Sequence, residues 1–143
     1  MIHYHSDSEI ERIATGVIAR TLPKPEWTHA AHFAAALWIL RQPDMDAERD
    51  LPPLIRAYNL ATGVQNTDSA GYHQTITLAS LRAARAWLAK WPDRPLHEIL
   101  NELLASPYGR SGWLLEYWSK PVLFSVVARR AWVDPDLQPL PFD

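Results

Sequence analysis

Apolar residues recur at helical spacing from Ile10 onward, with Ile10, Ile13, Val17 and Ile18 forming the first stripe. Ser6-Asp7-Ser8-Glu9 ahead of it reads as a helix start: Ser6 is the expected cap, and Glu9 three residues on completes a capping box. Pro23 and Pro25 require that helix to stop near Thr21. A second helix is predicted from 26–28 to about 41, closed by Gln42-Pro43-Asp44. A third covers roughly 46–62; Pro52 and Pro53 kink it or mark its true start, and Gly63 ends it. After a polar, turn-rich stretch at 64–70 comes a strong helical pattern over 71–90, broken by Trp91-Pro92-Asp93-Arg94-Pro95. Further helices are predicted near 96–105, 111–118 and 121–132.

No segment alternates apolar and polar residues over a strand length. The pattern therefore predicts an all-α fold, a compact bundle of six or seven short helices in one domain spanning 1–143. The tail at 134–143 is different. Pro135, Pro139 and Pro141 preclude a helix, yet Leu137, Leu140 and Phe142 are too apolar for a free end. It is expected to be extended and ordered against its own chain or a second subunit, with its own chain preferred, and to close one side of any pocket.

Composition narrows the chemistry. Apolar residues at 48% suit a folded core, and seven tryptophans add large side chains for a core or a pocket wall. The absence of cysteine removes disulfides, thiolate nucleophiles, iron–sulfur clusters and sulfur-based zinc sites, leaving His, Asp and Glu as the strong metal ligands. It fits a reducing compartment, and the opening residues do not read as a secretory signal, so a cytoplasmic location is expected. A net charge of -2 gives no general attraction to nucleic acid, and no apolar run is long enough for a bilayer. A monomer or homodimer is expected.

Candidate chemistry gathers at three strings. In Glu26-Trp27-Thr28-His29-Ala30-Ala31-His32, about 100° of rotation per residue puts His29 and His32 on one helix face, along the stripe of Phe33, Ala36 and Leu40. Gly71-Tyr72-His73 opens a long helix, where side chains often reach a shared cavity. Tyr58-Asn59 sits on the third helix. His97 reads as a solvated helix-start residue. No phosphate-binding loop, nucleophile elbow or zinc-protease motif is present.

These three strings and the ending Trp132-Val133-Asp134-Pro135-Asp136-Leu137-x-Pro139-Leu140-Pro141 together resemble a group of small bacterial all-helical proteins of unassigned function. The resemblance runs from about residue 22 to 141. It implies that the four strings act as a unit, and it carries over no activity.

Two readings follow. In the first, His29, His32 and His73 line a polar pocket that binds zinc or iron(II), with Glu26 as fourth ligand or catalytic base and Tyr58, Asn59 and Tyr72 contacting a small substrate. In the second, the histidines are structural, and the protein is a non-catalytic module that binds a small molecule or a protein.

Overall fold

Ile10, Ile13, Ala14 and Val17 are buried along one side of α1 (Asp7–Ile18), as the spacing predicts. In the computed structural model, which describes residues 3–142, no capping box forms. The Ser6 hydroxyl pairs with that of Ser8 at 2.8 Å, and Glu9 reaches back to the His5 N–H at 3.0 Å, one residue short of the cap.

The next helix, α2 (His29–Leu40), is apolar on nearly every side, and Ala31, Phe33, Ala34 and Leu37 have no accessible surface. A helix without a polar face can only be surrounded. It packs against α1 and against the three helices that follow, α3 (Ala47–Ala61), α4 (Gln74–Lys90) and α5 (Leu96–Ala105). Truncating Leu37 to alanine at this centre costs about 2–5 kcal/mol.

Helix α3 passes through Pro52 and Pro53 without starting at either. Its first turn is secured earlier: the Asp46 side chain accepts from the Arg49 N–H at 3.2 Å, and the Asp46 carbonyl accepts from Asp50 N–H at 2.7 Å. Helix α4 begins at Gln74, three residues later than expected, because His73 serves as its cap.

The second half departs further from the predicted pattern. The expected helix at 111–118 is replaced by a 3-10 turn, Trp113–Glu116, with another just ahead of it at Pro107–Gly109. Gly109 lies so close to the Leu104 carbonyl that a side chain there would collide with it. The expected helix at 121–132 is divided into α6 (Lys120–Leu123) and α7 (Val126–Arg130). Ser125 makes the break by capping α7, its hydroxyl accepting from the Ala128 N–H at 3.2 Å. With these, the described residues form seven α-helices and no strand, and no helix is long and apolar enough to cross a membrane.

The tail lies extended on its own chain. Leu137 N–H donates to the Tyr117 carbonyl, and Gln138 Nε2 to the Glu116 carbonyl, each at 2.9 Å. Asp136 accepts from the Ser119 N–H at 2.8 Å, and the Trp118 indole N–H donates to Val133 at 2.9 Å. Leu140 and Phe142 pack on the core, whereas Leu137 remains 56% exposed.

Candidate functional site

The histidine-bearing strings meet at one recess of about 300 Å³, lined by Trp27, His32, Ile55, Asn59, Val64, Gly71, Tyr72, His73, Ile76 and Thr77. Residues up to fifty positions apart thus share one small concavity between the start of α2, the end of α3 and the start of α4. Larger recesses lie elsewhere, one of about 580 Å³ beneath the tail beside Arg82 and Trp132, and one of about 630 Å³ around Tyr108, Trp113 and Tyr117. The tail therefore borders its own recess and does not close the histidine one. The smaller recess is the candidate because convergent polar groups on aromatic and apolar walls mark a ligand site better than volume alone.

Its floor depends on a turn that only glycine can make. Gly71 has φ +82, and a side chain there would run into the Gln65 carbonyl and Asn66. Asn66 organises the turn: its Oδ1 accepts from the Tyr72 N–H at 3.0 Å, and its Nδ2 donates to the Arg56 carbonyl at 3.1 Å. With both ends of Asn66 assigned by backbone partners, Asn59 must present its amide nitrogen to Asn66 Oδ1, which it does at 3.0 Å. Asn59 is thereby oriented with Oδ1 and the second Nδ2 hydrogen left over, and Oδ1 has no partner among the described residues. Arg129 braces the same turn, donating through Nη1 to the Gly71 and Tyr72 carbonyls at 3.2 Å each.

The same logic assigns the protons of three imidazoles, since a carbonyl can only accept. His73 donates from Nε2 to the Leu123 carbonyl at 2.7 Å, and its Nδ1 accepts from the Ile76 N–H at 3.2 Å, so both nitrogens are engaged. His29 donates from Nε2 to the Tyr108 carbonyl at 2.9 Å. His32 is the reverse. Its Nδ1 donates to the Thr28 carbonyl at 2.7 Å, which leaves a lone pair on Nε2 without a partner among the described residues.

His32 also stacks on Trp27, with ring centroids 3.8 Å apart and planes 28° from parallel. Desolvation of the crowded ring, with a smaller contribution from His29, pulls the His32 pKa down to about 4. The residue as a whole is exposed, and the desolvation acts at the face stacked on Trp27. Burial likewise lowers the His73 pKa, helped by the positive charge of Arg129 and opposed by the bond to Leu123. Both rings are held neutral.

The expected site residues thus divide. His32, Asn59, Tyr72 and His73 share the recess. Tyr58 is fully buried behind it; its hydroxyl donates to the Leu22 carbonyl at 2.9 Å, and its ring meets the edge of Trp27. Glu26 sits on a 3-10 turn and pairs with Arg12 at 2.6 Å. His29, expected beside His32, turns toward Tyr108 and does not line the recess. The anticipated zinc or iron(II) triad is therefore not assembled: one ligand is directed away and another has both nitrogens spent. Among the described residues no group of three His, Asp or Glu side chains is arranged to hold a metal ion. His97 is not simply solvated, since its Nδ1 lies 2.6 Å from Asp7 Oδ1 and its side chain is 22% exposed.

No protein-family model matches the chain, and neither a curated protein nor a solved structure does.

Three contributors to the recess are not marked by the sequence pattern: Asn66, which orients Asn59, Arg129, which braces the turn, and the Leu123 carbonyl. Asn66 lies in a polar loop and Arg129 beside Arg130 on a short helix, where solvation is the ordinary expectation. Gly71 was the available signal, because a glycine directly before a helix cap implies a backbone that other residues resist.

Proposed function

We propose that the protein is a non-catalytic binding module that takes a small molecule into the recess between α2, α3 and the start of α4. The observation that carries this reading is the lone pair of His32 Nε2, presented without a partner in a recess that also holds the unpartnered Asn59 Oδ1. All three candidate histidines hold a backbone carbonyl of their own chain, and of the two that line the recess only His32 keeps a ring nitrogen free, which supports a structural role for His73 and a recognition role for His32. A volume of about 300 Å³ is at the small end of ligand pockets and suits a compact molecule with one flat face against Trp27 or Tyr72.

The test is a fragment screen followed through backbone amide shifts. Ligand-induced shifts should cluster at Asn59, Val64, Tyr72 and Thr77, and Val64→Trp, which fills the recess from the loop side, should abolish them. Shifts confined to the recesses beside Trp113 or Trp132, or undiminished in Val64→Trp, would overturn the proposal.

A further inference from the structure

Two buried side-chain polar atoms lack a partner among the described residues, Arg129 Nε and the Trp113 indole nitrogen. The Arg129 guanidinium still holds the Gly71 and Tyr72 carbonyls through Nη1. Trp113 has no such substitute: the indole N–H is its one side-chain polar group, it can only donate, and the residue is 3% exposed. The Trp118 and Trp132 indoles show the usual outcome, donating to Val133 and Asp134 at 2.9 Å each. A donor that leaves water and gains no acceptor is held at a cost to the fold.

Trp113 lines the recess of about 630 Å³. Its ring lies between two tyrosines, in T-shaped contact with Tyr108 at 5.0 Å between centroids and with Tyr117 at 6.0 Å. Ring faces are weak acceptors and do not replace a lone pair. Both tyrosines also line the recess and are half-buried, so they form its walls while buried Trp113 forms its floor. These walls are held from outside the segment. His29 fixes the Tyr108 carbonyl, and the Leu137 N–H fixes the Tyr117 carbonyl. Burial and the neighbouring Tyr117 hydroxyl push the Tyr108 pKa up to about 12, which keeps that wall uncharged. The exposed lining residues Arg110 and Glu116 carry opposite charges, so charge does not set the class of ligand. Aromatic surface and a buried donor set it. Trp113 otherwise packs in the core, which leaves the recess as the side from which an acceptor reaches the indole.

We propose that this recess is a second ligand site, separate from the histidine recess, for a flat aromatic molecule that carries a hydrogen-bond acceptor. The acceptor takes the Trp113 indole N–H, and the ring lies against the Tyr108 and Tyr117 walls.

Acetophenone and ethylbenzene share a ring and nearly a shape, and only the first has an acceptor. Each is titrated at millimolar concentration while the backbone amides and the seven tryptophan indole N–H resonances are followed by NMR, the Trp113 signal being the one lost in Trp113→Phe. Acetophenone should shift the amides of Arg110, Ser111 and Trp113 and move the Trp113 indole proton downfield, with the Trp118 and Trp132 indoles unmoved. The affinity ratio of acetophenone to ethylbenzene should fall about tenfold in Trp113→Phe, the effect of one hydrogen bond to a buried donor. Gly112→Leu fills the recess and should abolish binding; a side chain there meets nothing within 4 Å, so the fold tolerates it. Val64→Trp, which blocks the histidine recess, should leave this binding unchanged, so the two sites stand or fall separately. An indole proton that stays in place while the neighbouring amides shift, a ratio unchanged in Trp113→Phe, binding that survives Gly112→Leu, or no shift at these residues with acetophenone overturns the proposal.

Discussion

The His73 imidazole and the Leu123 backbone carbonyl, fifty positions apart, are joined by a 2.7 Å hydrogen bond in the interior. Through its other nitrogen the same ring caps α4, so one side chain fastens the start of the longest helix to the end of α6. This is a structural role with a measurable cost. His73→Ala leaves a buried carbonyl and a helix-start N–H without partners, at about 1–3 kcal/mol. Thermal or urea denaturation should show that loss, with His73→Asn falling between variant and parent because asparagine can still cap.

The tie between His29 and Tyr108 predicts a smaller effect of the same kind. His29 is half-buried, so water can reach part of what the deletion exposes. His29→Ala should cost less than His73→Ala and should mainly loosen the Pro107–Gly109 turn, seen as faster amide exchange there. His97→Ala should cost the least, because the Asp7 side chain it meets stays 50% exposed and water can replace the bond; such surface pairs contribute about 0–1 kcal/mol.

Acid should weaken the fold in a defined window. His32 and His73 have folded-state pKa values below the 6.5 of a free imidazole, so between the two states the unfolded chain binds the extra protons. Stability is therefore full above pH 6.5 and declines as the pH falls from there toward about 4. Urea melts at about pH 7.5, 6 and 5, which bracket the free imidazole pKa, should show this decline, and His73→Asn should flatten it. A stability that rises on acidification through this range would contradict the neutral assignment.

Removing the tail tests its place in the fold. Truncation after Val133 deletes the bonds to Glu116, Tyr117 and Ser119 and uncovers the core beneath Leu140 and Phe142. The melting temperature should fall with no change in elution volume, since the tail docks on its own chain. Binding in the histidine recess should persist, because no tail residue lines it.

The helical core was legible in the sequence, for a simple reason. Ile10, Ile13 and Val17 on α1 and the near-continuous apolar run of α2 bury by periodicity, which sequence displays directly. Short segments were less so. The 107–118 region is held by the bond from the distant His29 to the Tyr108 carbonyl and by the close approach of Gly109 to Leu104, and apolar spacing records neither. At the site, residue types were legible but directions were not. His29 and His32 lie three positions apart on one helix, yet the Tyr108 and Thr28 carbonyls draw their rings to different surroundings. The Thr28 carbonyl is local to His32, but the Tyr108 carbonyl is brought to His29 by the fold from far along the chain. Asn66 shows the same limit, since it orients Asn59 only after the Gly71 turn has brought the two together.

Recognition through His32 depends on where three imidazole protons reside, and long-range proton–nitrogen correlation spectra of these side chains report this directly. At pH 7.5, around which neutral histidines prevail, His32 should appear as the neutral tautomer protonated at Nδ1 with a bare Nε2. His29 and His73 should appear protonated at Nε2, as their bonds to Tyr108 and Leu123 require. A His32 ring carrying its proton on Nε2, or carrying two, would remove the free lone pair and contradict the proposed recognition.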